Sequence, residues 1–486
     1  MKLRLFAVCG LLILAATVPV IGAAACAVIL VLQIALMCLR PVITRLPTPT
    51  VRARETFDAP VFSVHVATHS EPPDMVIRTL HALLDQDWPA DKYEIIVMDN
   101  NTSDDALWKP VQAFCDEQVS QCKFLHQNDV QGAKAGALNI ALDHTRVDAS
   151  HIVTVDADYI VGPDFLSTAA SALALTGADY VQFPQSYMGV SGAAAGVDAE
   201  LEEYFRSNAV VADDAEAVLL TGTLCVISKT ALAAAGGWSG STTTEDAEVG
   251  VRLCNAGFTG RFINQIVGRG LLPFSLADLE TQRYRWCSGN FQTLLRHCQT
   301  ILTFKGSMSL HKRLVIVSQL TAWFNLALIP TVVLLAAVLL GREHSVAAVL
   351  SACVVLLSFF DVALRIIGRG VRDDLELAVI CHALACRFAL APKSAKATFD
   401  AILGEEFKFL VTKKHIREVA RGVQIPIWHL ALFVISLFVL VGLHPTHSTV
   451  IAALLALMLP LPAALLTDKS LHDYRKSISA SQEVTL

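Results

Sequence analysis

The apolar residues of this chain are gathered towards its two ends, and that distribution limits the folds open to it. Phe6–Leu39 is a nearly unbroken apolar run, and apolar blocks return at 314–340, 346–366, 425–443 and 447–466. Each later block approaches or exceeds the ~20 residues that cross a bilayer as a helix. Residues 55–310, between them, read as a globular α/β domain. With 54% hydrophobic and 17% charged residues, the chain is too apolar for an ordinary soluble protein.

The first run would be roughly 51 Å long as one helix, more than a ~30 Å hydrocarbon core accepts. Pro19 and Gly22 sit near its middle, which favours a tight hairpin of two helices. Lys2 and Arg4 precede it and Arg40, Arg45, Arg52 and Arg54 follow, so basic residues flank both ends, as in a hairpin with both ends cytoplasmic. A cleaved signal peptide is the competing reading, since Ala23-Ala24-Ala25 resembles a processing site; the apolar stretch continues well beyond it. Downstream, the connections Gly341–Ser345 and Leu443–Ser448 hold one basic residue, Arg342, whereas Arg365–Arg421 holds eleven and is assigned to the cytoplasm. Within that segment Leu375–Leu390 is short and carries Glu376, His382 and Arg387, which suits an interface helix. Six spans result: a hairpin over 1–40, a cytoplasmic domain over 41–312, a membrane region over 313–466 with cytoplasmic loop 367–424, and a cytoplasmic tail over 467–486. The expected location is the inner (plasma) membrane, multi-pass.

Charge divides the same way. Residues 41–312 hold 19 Lys+Arg against 32 Asp+Glu, and the remainder 19 against 12. An acidic domain suits a bound divalent cation. It has no basic stripe with interleaved aromatics, so nucleic acid is not an expected partner. The twelve cysteines show no CxxC spacing and are expected to be reduced thiols.

Strands are expected at Val61–Thr68, Tyr93–Asp99 and Ile152–Asp158, with helices at Met75–Gln86 and Gly132–Leu142, giving a parallel sheet with ligands at its carboxyl ends. Asp99 and Asp158 fall at such ends. Asp156 and Asp158, one residue apart, would project to the same side of an extended strand and could share a hard cation with a diphosphate; an acidic turn is the plain alternative. Asp246, in Thr244-Glu245-Asp246, is a candidate general base, although Glu245 and Asp246 also suit the acidic first turn of a helix. In Gln282-Arg283-Tyr284-Arg285-Trp286, Arg285 offers a planar fork for a diphosphate and Trp286 a face for a sugar. The same residues would suit an interface helix.

These motifs, in the order Asp99, Asp156/Asp158, Thr244-Glu245-Asp246 and Gln282–Trp286, resemble those of the family-2 glycosyltransferases, and among them the cellulose-synthase-like processive membrane enzymes. Gly132–Asn139, Gln182-Phe183-Pro184-Gln185 and Gly222-Thr223 are also similar, and Phe409-Leu410-Val411-Thr412-Lys413-Lys414 is similar to the FxVTxK gating loop of cellulose synthases. The resemblance covers about residues 60–300 well and extends more loosely to about 415. It implies a GT-A (Rossmann-like) catalytic domain, a UDP-sugar donor, Mg²⁺ or Mn²⁺ with Asp158 as ligand, and Asp246 as base. It also implies donor contacts at Glu71, Asp99, Lys134, Asp156, Asp158, Gln282, Arg283 and Arg285, and acceptor contacts at Trp286, Glu245, Gly222 and Thr223. Phe409, Val411, Thr412 and Lys414 would form the gate, and a growing glycan would leave through the membrane helices, with export partners in an outer envelope beyond reach of the sequence. His69-Ser70-Glu71 departs from the family's usual Tyr-Asn-Glu, which leaves the uridine contacts open. Only about twenty residues follow the last apolar block, so no cyclic-dinucleotide-binding domain is expected there. The expected function is a processive β-glycan synthase, most simply a β-glucan synthase using UDP-glucose. A single-sugar transferase acting on a lipid carrier is the alternative, and a transporter or scaffold with an inactive domain a third.

Overall fold

The computed structural model describes residues 10, 13–15, 17–40, 59–303, 308–403 and 426–483. Helix α1 (Pro19–Cys38) opens on Pro19 at its first turn and precedes the α/β domain. There follow β1 (Phe62–Thr68), α2 (Pro73–Leu84), β2 (Tyr93–Asn100), α3 (Asp105–Glu117), β3 (Cys122–Gln127), α4 (Ala133–Asp143), β4 (His151–Thr154), the short β5 (Ile160–Val161) and α5 (Phe165–Thr176). Then come β6 (Tyr180–Gln182), α6 (Ala195–Tyr204), β7 (Cys225–Ser228), α7 (Glu245–Asn255), β8 (Gly260–Phe262), β9 (Gly268–Arg269) and α8 (Leu276–Arg296). The C-terminal helices are α9 (Leu310–Leu320), α10 (Leu328–Leu339), α11 (Val346–Arg372), α12 (Leu377–Leu403), α13 (Ile427–Leu443), α14 (Ser448–Met458) and α15 (Pro460–Glu483).

The sheet runs β3-β2-β1-β4-β7-β6-β8. Strands β1 to β4 are parallel, as the alternation of strands and helices predicts. The expectation of an all-parallel sheet fails at β7, which pairs antiparallel with both β4 and β6. Between β6 and its antiparallel neighbour β7 the chain passes through α6 and the loop at 215–224. Register sets Thr68 opposite Asp99, so the carboxyl ends of β1 and β2 are level.

Four helices or helix pairs are long and apolar enough to cross a membrane: Pro19–Cys38, Val346–Arg372, Leu377–Leu403 and Ser448–Ser479. The apolar block expected as one span at 314–340 is instead two helices, α9 and α10, with Thr321–Ala327 between them. Ser309 caps α9 by accepting from the Lys312 amide. Three turns meet at the end of the helices remote from the catalytic domain. Arg342 donates to the Thr17 carbonyl, and Glu343 accepts from the amide and hydroxyl of Thr446. At the other end Arg40 donates to Thr321 Oγ1 at 2.7 Å, and Arg369 pairs with Glu202 of α6. Helix α12 lies along the catalytic domain, with His382 against Gly196, where a Cβ would stand 2.4 Å from the His382 Cβ. Helix α15 returns to the same domain, where Tyr474 donates to the Met188 carbonyl at 2.9 Å. The eleven described cysteines are all free thiols.

Candidate active site

The carboxyl ends of β1, β2 and β4 open onto a cleft of about 320 Å³ lined by Thr68, His69, Glu71, Asn100, Asn101, Lys134, Asp156, Asp158 and Arg285. Asp99 lies behind this wall, 3% exposed. Its carboxylate accepts from the hydroxyls of Thr68 (3.0 Å) and Thr102 (2.8 Å) and sits 2.8 Å from His126 Nδ1. Trp108 stacks on His126 with centroids 4.2 Å apart. Asp99 thus fixes the strand ends that form the cleft. Glu71 accepts from the His69 amide, which folds its side chain back across the β1–α2 turn.

Strand β4 ends at Thr154, and the Tyr159 amide closes a turn onto the Asp156 carbonyl. Asp156 and Asp158 are therefore turn residues, and the same-side argument from strand alternation does not apply to them. The turn nevertheless brings both to one cleft. Asp156 lies 2.5 Å from Lys134 Nζ, and Asp158 accepts from the Leu271 amide at 3.2 Å. Two carboxylates in one cleft fit a hard cation that draws its remaining oxygens from a diphosphate. Among the described residues no group of three or more His, Cys, Asp or Glu is arranged to hold an ion unaided.

Lys134, from the first turn of α4, joins this cleft to a second. Its ammonium also donates to the Gly222 carbonyl at 2.8 Å and lies 4.0 Å from Glu245. Burial alone would lower its pKa, but Asp156 and Glu245 outweigh that and raise it, so it stays charged. Gly222 has φ +82°, and a Cβ there would stand 2.8 Å from Asp246 Oδ2. A side chain is excluded on both counts. Gln182 of β6 holds this loop, accepting from the Thr221 amide and donating to the Thr223 carbonyl. The Thr223 hydroxyl accepts from the Asp156 amide at 3.0 Å.

Asp246, second residue of α7, accepts from the Ala247 amide at 2.8 Å. Desolvation, and then the adjacent negative Glu245, push its pKa up to about 7. It lines a narrower cleft with Gln185, Thr221, Thr244, Trp286, Asn290 and Trp323. Helix α8 closes both clefts: Arg285 faces the first and Trp286, its neighbour, the second. Gly289 allows the approach, because a Cβ there would meet Thr243 Oγ1 at 2.6 Å. Arg283 lines neither cleft, but lies behind the rings of Trp286 and Trp323. It is 2% exposed and bidentate to the fully buried Glu200, at 2.8 Å for each bond. Arg387 reaches the same carboxylate at 2.7 Å. Gln282 Oε1 is buried with no hydrogen-bond partner among the described residues. The gating-loop residues Phe409, Val411, Thr412 and Lys414 lie outside the described residues.

Trp323 is the residue that the sequence reading missed. It lines the Asp246 cleft and also a cavity of about 90 Å³ between the C-terminal helices and α1. Tyr204 stacks on it at 4.7 Å, and Arg283 lies 3.9 Å above it. Polar residues line that further cavity: Gln33, Ser358 and Asp361 from apolar helices, Asn325 from the break between α9 and α10, and Asn208 from the turn after α6. The available signal was the interruption Thr321–Asn325, a polar and aromatic break within an apolar block.

Residues 63–234 match the family described as Glycosyl transferase family 2, and residues 151–360 match Glycosyl transferase family group 2. The chain belongs to the family-2 glycosyltransferases. The transferase is cellulose-synthase-like in sequence. It is 28% identical over 240 residues, 48% of this chain and 32% of the relative, to a cellulose synthase catalytic subunit [UDP-forming] of Xanthomonas axonopodis pv. citri (strain 306). It is 24% identical over 284 residues, 57% of this chain and 36% of the relative, to the cellulose synthase 1 catalytic subunit [UDP-forming] of Komagataeibacter xylinus. Glucomannan 4-beta-mannosyltransferase 7 of Arabidopsis thaliana is 26% identical over 267 residues, 52% of this chain and 47% of that protein. The transferase thus spans less than half the length of these relatives. In fold it is similar to a mannosyltransferase from Pyrobaculum calidifontis solved with GDP-Man and Mn²⁺. The TM-score is 0.51 at 16% identity, covering 79% of this chain and 100% of that one. The GT-A-like mixed sheet with a Rossmann-like core is thereby shared.

Proposed function

We propose that this transferase moves a hexose, with inversion, from a UDP-sugar to the end of a growing β-linked glycan. UDP-glucose is the donor proposed, because the cellulose synthases it resembles are UDP-forming. The observation that carries the reading is the junction at Lys134, Gly222 and Asp246, where the carboxylate cleft and the aromatic cleft meet. The diphosphate would lie against Arg285, Asp156 and Asp158. An acceptor sugar on Trp286 and Trp323 would present its hydroxyl to Asp246, which takes the proton as the bond forms. Mg²⁺ or Mn²⁺, held by Asp158 and Asp156, would offset the charge gathering on the departing diphosphate. Phe409–Lys414 would close over the bound nucleotide, as the family resemblance implies.

The proposed setting is the inner membrane, multi-pass, with the catalytic domain cytoplasmic. The polar cavity beyond Trp323 would receive the polymer, and envelope partners would carry it further. Membranes supplied with a panel of labelled UDP-sugars, followed by linkage-specific hydrolases, test the whole reading. Alkali-stable polymer from UDP-glucose is expected. Labelled glycolipid without polymer would replace this reading with a single-sugar transferase.

A further inference from the structure

Beside the polar cavity lies a larger hollow, about 510 Å³, between α10, α12 and α13. Its walls include Leu328, Val332 and Leu335 of α10 and Trp428, Leu432 and Ile435 of α13, two turns of each helix, roughly 10 Å. Both helices begin at the end where charge collects. There Lys393 and Lys396 each lie 5.5 Å from the Tyr284 ring, and Asp400 accepts from the Tyr284 hydroxyl at 2.5 Å. Lys396 pairs with Asp400. His429 Nε2 stands 3.6 Å from Glu280. Among the described residues Lys393 has no carboxylate within ion-pair distance. Among the described residues the rim thus offers two ammonium groups and two carboxyl groups, and burial pushes the pKa of Glu280 up to about 7.

A purely anionic headgroup would satisfy Lys393 but leave Glu280 with only His429 beside it, since Lys396 is taken up by Asp400. The rim suits a headgroup that carries one phosphate and one ammonium. Resting on the membrane reading above, we propose that this hollow binds a zwitterionic aminophospholipid, with an acyl chain along Val332 and Leu335, the phosphate at Lys393 and the ammonium towards Glu280. Asn325, Phe359 and Ala391 line both this hollow and the polar cavity. Only a thin partition separates them, part of it the Asn325 Nδ2 bond to the Ala391 carbonyl at 3.2 Å. A bound lipid would therefore seal the side of the cavity against the bilayer.

The test uses the full chain in nanodiscs of equal phosphatidylethanolamine and phosphatidylglycerol, with retained lipid counted by native mass spectrometry. One phosphatidylethanolamine per chain is expected. Val332→Trp, which fills the hollow, should lower its retention about tenfold with UDP binding unchanged, and Lys393→Glu should lower it independently. Equal retention in wild type and both variants, or preference for phosphatidylglycerol, overturns the proposal. Alkaline carbonate extraction run alongside separates the two readings. A chain released to the supernatant overturns the membrane setting and the lipid site together, whereas a chain kept in the pellet without phosphatidylethanolamine overturns the lipid site alone.

Discussion

Asp246 can accept a proton only when it is ionised, and its environment makes ionisation harder. With its pKa pushed to about 7 by burial and by Glu245, turnover should fall as pH drops through that value, by about tenfold per unit well below it. UDP binding measured over the same range should lack that limb. The effect on stability has the opposite sense: a carboxyl that holds its proton more tightly when folded favours folding at low pH, and that contribution is lost as pH rises through about 7. Asp246→Asn should abolish synthesis with UDP still bound; Asp158→Asn should instead weaken metal-dependent UDP binding. Gly222→Ala places a methyl against the Asp246 carboxylate at a backbone angle that disfavours it. A loss of kcat beyond tenfold with little change in UDP affinity is expected, read by steady-state kinetics beside UDP titration.

Helix α8 is the element on which both clefts depend. Gly289→Val would push it off Thr243 and Thr244, moving Arg285 and Trp286 together. Donor affinity and acceptor use should therefore fall in parallel, which calorimetry with UDP and product sizing would show. The buried Arg283–Glu200–Arg387 group anchors α8 to α6 and α12. Glu200→Gln leaves two guanidinium groups without their carboxylate and should cost about 3–5 kcal/mol, seen as a lower melting temperature in detergent. Much of this level was legible in the sequence. Strands β1 and β2 and helices α2 and α4 follow their apolar patterns to within a few residues, because local periodicity decides them. The reversal at β7 and the early end of β4 did not, since strands of four residues carry almost no pattern of their own. Nor did the fate of Arg283: Glu200, its partner, is 83 residues away, and pairing at that distance is a property of the fold.

For the whole molecule, the three remote turns at Thr17, Arg342–Glu343 and Thr446 give a topological expectation. Cysteines placed at Glu343 and Thr446 should react with a membrane-impermeant maleimide from outside intact cells, and one at His382 only after lysis. Helix α15 reaches back to Met188, so the last turns of the chain brace the catalytic domain. That contact, too, lies beyond sequence reasoning, since nothing local to residues 467–483 names the partner.

The Lys134–Asp156 contact has a consequence for the order of events. Before any substrate arrives, the cleft already holds a positive group against one of its two carboxylates. An incoming cation therefore competes with a tethered one, at an effective concentration no solution ion matches. Ion and nucleotide should then enter as a single preformed unit, whose phosphates give the displaced ammonium somewhere to go.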